Sequence, residues 1–128
     1  MWKTDRTHDY GTDDGDQMKA YATPLVINVN GAEQIISPAA KGVIAYDPKN
    51  GEVIWSKRVP GKYVASALAS GKRIYFFSQE GKATVISAGR EYKEVAVNSL
   101  DDGFMSSPAT IGDDLILRTK THLYRIGE

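Results

Sequence analysis

One phrase of this chain occurs once whole and once without its first half. Ala45-Tyr46-Asp47-Pro48-Lys49-Asn50-Gly51-Glu52-Val53-Ile54-Trp55-Ser56-Lys57-Arg58 reads as a strand, a tight turn and a second strand ending in Trp and basic residues. The chain opens on Met1-Trp2-Lys3-Thr4-Asp5-Arg6, which matches the second strand alone. A sequence that begins in the middle of its own repeat predicts an architecture whose ends meet. Closure is therefore the first constraint on the fold, ahead of any chemistry.

Three segments align. The first holds Tyr21-Ala22-Thr23-Pro24-Leu25-Val26-Ile27, a turn at Asn30-Gly31, then Gln34 to Ser37 and Gly42 to Tyr46. The second holds Val64 to Ala69, a turn at Ser70-Gly71, then Arg73 to Ser78 and Ala83 to Ile86. The third holds Met105 to Thr110, a turn at Gly112-Asp113, then Leu115 to Arg118 and His122 to Ile126. The hydroxyl residues Thr23, Ser66 and Ser107 recur at the same place in each segment. A period of about 40–45 residues with four short strands is the spacing of a β-propeller blade. The runs are rich in Val, Ile, Thr, Tyr and Phe and are bounded by Gly, Asn, Asp and Pro, as strands are. Asn-Gly and Ser-Gly supply the positive φ that tight hairpins need. No window holds a sustained helical period, so the chain is read as all-β.

Counting strands sharpens the closure argument. The first repeat has its fourth strand at Glu52 to Arg58 and the second at Tyr92 to Asn98, where the Trp position has degenerated. The third stops at Ile126-Gly127-Glu128 after three strands. The expected organisation is one propeller segment over residues 1–128, with four-stranded antiparallel blades at about 21–58, 63–99 and 104–128 plus 1–6. The N-terminal strand is expected to complete the last blade, which hides an open edge. Closed propellers have four to eight blades, so three cannot form a ring alone. Two copies would make six and three copies nine. A homodimer ring is predicted, with Trp2 to Arg6 of one copy completing the third blade of the other.

Composition removes several function classes. Sixteen basic and sixteen acidic side chains cancel, so no strong field gathers nucleic acid or an anionic membrane. There is no cysteine, hence no disulfide and no thiolate chemistry. No apolar run reaches the length of a bilayer span, and no basic-then-apolar signal peptide opens the chain. Met1 directly before Trp2 reads as a start placed at a cut, compatible with a leader removed.

Candidate chemical residues each have a bland reading. Asp13, Asp14 and Asp16, in the long acidic loop between Thr7 and Ala20, offer carboxylate oxygens to Ca²⁺. They lack the spacing and terminal Glu of an EF-hand, and a solvated loop is the preferred reading. His8 beside Asp9 is a surface pair, and His122 is a turn residue in the last hairpin; neither has a partner at metal-ligand spacing. Ser66, Ser106 and Ser107 sit at strand starts rather than in a nucleophile elbow. Such hydroxyls bind exposed backbone. Tyr75-Phe76-Phe77 alternates across a strand and reads as sheet-to-sheet packing, since no basic groove accompanies it. Lys57, Arg58 and Lys62 form a small solvated basic patch.

The motif Ala45-x-Asp47-x-x-x-Gly51-x-x-x-Trp55 resembles the repeat of PQQ-like β-propellers, A-x-D-x-x-T-G-x-x-x-W, with Asn50 in place of Thr. The likeness extends to the Ser/Thr-x-Pro blade starts and is nearest to bacterial outer-membrane-assembly and quinoprotein-like repeat proteins. That group is extracytoplasmic, which implies a periplasmic or secreted location. In the family the Trp packs between neighbouring blades while Asp and Gly shape the turn. The resemblance thus implies structural roles for Trp2, Ala45, Asp47, Gly51 and Trp55. Quinoprotein dehydrogenases of this fold hold the quinone on a tryptophan floor beneath a vicinal disulfide, with Ca²⁺ on Glu, Asn and Asp. This chain has no cysteine, and that ligand set does not map onto it. The resemblance transfers the fold and not the oxidation chemistry. A non-catalytic, cofactor-free scaffold for protein, peptide or ligand interaction is the leading expectation. The alternatives are a fragment of a quinoprotein-like oxidoreductase whose PQQ- and Ca²⁺-binding blades lie elsewhere, and a minimal or engineered self-assembling propeller without activity.

Overall fold

A computed structural model describes residues 1–6, 21–39, 42–100 and 102–127. The described residues form eleven strands in three antiparallel sheets. The first blade is β1 (Leu25–Val29), β2 (Ala32–Pro38), β3 (Val43–Tyr46) and β4 (Val53–Lys57). The second is β5 (Leu68–Ser70), β6 (Arg73–Phe77), β7 (Lys82–Ser87) and β8 (Glu94–Ser99). The third is β9 (Ala109–Ile111), β10 (Asp114–Arg118) and β11 (Leu123–Ile126). Within each sheet every strand pairs with its sequence neighbour, the meander that short polar turns permit.

Turn chemistry sets the registers. Asn30 and Gly31 both have positive φ (51° and 85°) and join Val29 to Ala32 as a directly paired couple. The Gly31 N–H donates to Asn28 Oδ1 at 2.9 Å, so the side chain before the turn satisfies a donor within it. The turn from β3 to β4 is built by its own side chains. Asp47 Oδ1 accepts from Lys49 N at 2.8 Å, Asn50 Oδ1 accepts from Glu52 N at 3.0 Å, and Asn50 Nδ2 donates to Glu52 Oε2 at 2.8 Å. Asn50, at the position of Thr in the motif, thus closes the turn through both polar atoms of its amide. The register shifts at Ala45/Tyr46 in the first blade and at Val85/Ile86 in the second, a repeated bulge before the last strand.

The core lies between sheets rather than within them. Ile27, Ile36, Val43, Ala45 and Trp55 of the first blade meet Ile74, Phe76 and Ile86 of the second, joined by Val59 and Tyr63 from the connection. Phe77 meets Phe104 and Leu117 in the second seam, with Tyr75, Leu115 and Tyr124 packed alongside. Phe76 and Phe77, each 1% exposed, point to opposite seams because successive side chains of a strand alternate faces. Tyr63 meets Phe76, and Phe77 meets Phe104, edge to face at 6.4 and 5.2 Å. The aromatic run therefore does what its alternation predicts.

The N-terminus departs from expectation within one chain. The third sheet holds three strands, ordered β11-β10-β9, and residues 1–6 form no strand. Trp2 is seated instead on the first blade, at the other end of the arc, where the bare Gly51 and the Pro48 carbonyl receive it. The acidic loop with Asp13, Asp14 and Asp16, together with His8 and Asp9, lies outside the described residues.

Truncating a seam aromatic tests where the core is. We expect Phe76→Ala to lower the unfolding free energy by about 3–5 kcal/mol in urea titrations, the usual loss for a buried Phe. An effect under about 1 kcal/mol would place the core elsewhere.

Candidate functional site at the blade seams

The chemistry-bearing side chains gather at the seams and their rims. In the first seam Trp55, 9% exposed, leaves β4 and leans on the β7–β8 turn of the second blade. Its Nε1 donates to the Gly89 carbonyl at 3.3 Å, and its ring meets Tyr92 edge-on at 5.9 Å. Lys57 Nζ, on the same strand, lies over the Tyr92 ring at 5.7 Å from its centroid. Burial pushes the Tyr92 phenol up to about 12, and the nearby charge and hydrogen-bonding of Glu94 add to the shift.

Trp2 repeats this arrangement one blade earlier. Its Nε1 donates to the Pro48 carbonyl, in the β3–β4 turn, at 2.8 Å. The six-membered ring of its indole lies on Gly51 so closely that an added Cβ would overlap it. Gly51 also holds φ of +74°, a conformation that costs an L-residue about 1–2 kcal/mol. The motif glycine therefore answers to two demands, the turn and the indole. Trp2 remains 39% exposed where Trp55 is nearly covered. Trp2 thus takes on the β3–β4 turn of the first blade the kind of seat that Trp55 takes on the β7–β8 turn of the second.

A second link crosses the seams at the blade starts. Thr23 N–H donates to Ser66 Oγ at 2.9 Å, and Ser66 N–H donates to Ser107 Oγ at 2.9 Å. The strand-start serines bind neighbouring backbone, as their position predicts. Ser107, not Ser106, is the one used.

At the same end of the blades the connections clasp the next hairpin. Lys62 N–H donates to Glu80 Oε2 at 3.1 Å, and Gln79 N–H donates to the Lys62 carbonyl at 2.8 Å. Partial burial of Glu80 opposes ionisation, but the hydrogen bonds from Lys62 and Ser78 and the Lys62 charge outweigh it and hold the carboxyl below its ordinary value. Lys62, read from sequence as part of a solvated basic patch, contributes backbone to this clasp. In the third blade Thr121 Oγ1 lies 2.6 Å from both Asp102 Oδ2 and His122 Nδ1. The hydrogen bond from Thr121 lowers the Asp102 carboxyl. An ionised carboxylate only accepts, so the threonine proton goes to Asp102 and His122 Nδ1 carries the hydrogen it gives to Thr121. An activated nucleophile needs the reverse, a hydroxyl donating to a bare imidazole nitrogen. His122 N–H donates to Thr119 Oγ1 at 3.0 Å, so the residue closes its turn. Among the described residues, no three His, Asp or Glu side chains converge on a metal position.

The comparisons concern fold. No family model and no curated protein matches this sequence. Solved structures do. BamB from Moraxella catarrhalis aligns over 77% of this chain with a TM-score of 0.58 and 17% identity. The quinohemoprotein alcohol dehydrogenase ADHIIG from Pseudomonas putida HK5 aligns over 79% with a TM-score of 0.59 and 16% identity. A europium-containing methanol dehydrogenase aligns over 78% with a TM-score of 0.59 and 13% identity. In fold, the chain is similar to the PQQ-type β-propellers. The alignments span only 31%, 17% and 20% of those three chains, so the likeness is to an arc of a propeller. Sequence reading expected structural roles for Trp2, Ala45, Asp47, Gly51 and Trp55 from the resemblance. It missed Tyr92, Phe104 and the seating of Trp2 on the first blade, since each depends on residues far away in the chain.

The Tyr92 environment gives a pH dependence. In the unfolded chain the phenol ionises near 10, and in the folded seam near 12. The stability tied to it is complete below about pH 10 and is lost as pH rises toward 12. We expect Tyr92→Phe to lose less stability than the parent between pH 9 and 12, measured by thermal melts. Parallel losses would remove Tyr92 from the seam.

Proposed function

We propose that this chain is a non-catalytic propeller scaffold that assembles with a second copy into a six-bladed ring and offers its rims to protein or peptide partners. The observation that supports the reading most is the seat of Trp2, the counterpart of the Trp55 seat one blade earlier. The third sheet has three strands, and Trp2 lies against the first blade. A second copy's third blade, placed before the first, would find its fourth strand there. Charge supports association through shape rather than through a field, because basic and acidic side chains balance. No described helix is long and apolar enough to cross a membrane. The extracytoplasmic location implied by the motif fits such a scaffold.

Light scattering across micromolar concentrations tests the assembly. We expect twice the mass of the chain, and we expect deletion of residues 1–6 to return the single-chain mass. A single-chain mass for the parent would overturn the ring, and a dimer that survives the deletion would overturn strand exchange.

A second reading has a specific support, since two of the similar structures are alcohol or methanol dehydrogenases. In it the chain is an arc of a quinoprotein-like oxidoreductase. Titration with PQQ and Ca²⁺, followed by absorbance and melting temperature, separates the two. The scaffold reading expects no saturable shift, and a saturable shift would favour the enzyme arc.

A further inference from the structure

The hydrogen bonds at the blade starts form a directional series. In the first seam the backbone N–H of Thr23 donates to the hydroxyl of Ser66, one blade on; in the second the N–H of Ser66 donates to the hydroxyl of Ser107. Both spans are 2.9 Å, and Ser66 both gives and receives. The series is therefore a relay with a sense. It leaves a donor, the Ser107 N–H, on the third blade and an acceptor, Thr23 Oγ1, on the first. Among the described residues neither has a neighbouring blade to complete it. Exposure follows the same order: Ser66 is half-buried, and Thr23 and Ser107 are exposed.

We infer that the relay runs on across the joint between copies, with the Ser107 N–H of one copy donating to Thr23 Oγ1 of the next. The inference rests on the ring assembly proposed above and names the contact that sets its order. The partner is a second copy of this chain because its first blade presents the complementary acceptor. The seat of Trp2 independently requires the same order, third blade then first. Face-to-face docking of two third blades would set N–H against N–H and leave both unsatisfied. The relay pins the joint at its inner strands, and the indole pins it at the outer strand. Two separated pins fix the angle between blades, where one alone would leave a hinge.

The face that would be covered is mixed, its apolar side chains standing among Asp114, Arg118 and Arg125, of which Arg125 Nε and Asp114 Oδ2 pair at 2.6 Å. Leu115, Leu117 and Tyr124 pack toward the second blade. Their strand neighbours Ile116 and Leu123 then face the other way, with Ile111 in the same set by register. Ile111 is 59% and Leu123 74% exposed, which burial in the joint would remove from water.

The test uses the full chain. Thr23→Val removes the acceptor and keeps both the branched shape and the N–H that serves Ser66. We expect the dimer dissociation constant, from sedimentation at graded concentration, to rise about 25- to 100-fold, as loss of two net hydrogen bonds does, one at each joint of the two-copy ring. Thr23→Ser should restore the parent value. An unchanged constant for the valine variant, or equal weakening by serine, would overturn the relay while leaving the ring standing. A parent that stays single at every concentration would overturn both. Amide exchange on the unmutated chain gives a check independent of any variant. The Ser107 N–H should be protected in the dimer and exchange rapidly on dilution, and rapid exchange in both states would overturn the inference.

Discussion

Each blade of this chain is stabilised by the blade beside it, and the rest of the structure follows from that dependence. A four-stranded meander has one apolar layer on each face and almost nothing inside. Ile27, Ile36 and Trp55 leave water only because Ile74, Phe76 and Ile86 approach them from the next sheet. Phe77 is covered because Phe104 and Leu117 come from the third. The full burial of a large aromatic contributes a few kcal/mol, and these seams collect several. On the first blade's other face Ser37, Ile44 and Tyr46 are buried as well, whereas on the third blade's other face Ile111 and Leu123 are exposed.

The seams are also where polarity is handled. An indole N–H on a turn carbonyl and a backbone N–H on a neighbouring hydroxyl link each blade to the next. Both links are directional, so they add sequence order to what would be featureless sheet stacking. The elevated Tyr92 phenol belongs to the same economy: burial under Trp55 favours its neutral form beside Glu94. The Asp102–Thr121–His122 cluster has a different origin. It closes the last hairpin against the preceding connection, and its proton arrangement suits a turn better than an attacking hydroxyl.

Much of the fold was legible because its signals are local. Asn30-Gly31 demanded a hairpin, and Asp47 to Gly51 demanded a turn whose side chains bind its own backbone. Alternation in Tyr75-Phe76-Phe77 demanded two covered faces. The motif implied a packing role for Trp55, which in the structure lies against Tyr92. The placement of Trp2 was half legible. Its likeness to Trp55 marked it as an outer-strand residue, but the blade it leans on follows from where Gly51 and the Pro48 carbonyl lie in space. Tyr92 was invisible as a partner because the second blade has lost the Trp and Gly of the motif. It replaces the glycine contact with an aromatic edge.

The sequence by itself determined the period, the turns, the strand faces and the absence of cysteine chemistry, since each depends on a few adjacent residues. The tertiary structure decided which end of the arc receives Trp2, which hydroxyl of the Ser106-Ser107 pair bridges the seam, and in which direction the blade-start hydrogen bonds run. Those outcomes depend on the angle between sheets. That angle is set by the volumes of side chains forty residues apart meeting across a seam, and no local pattern encodes it.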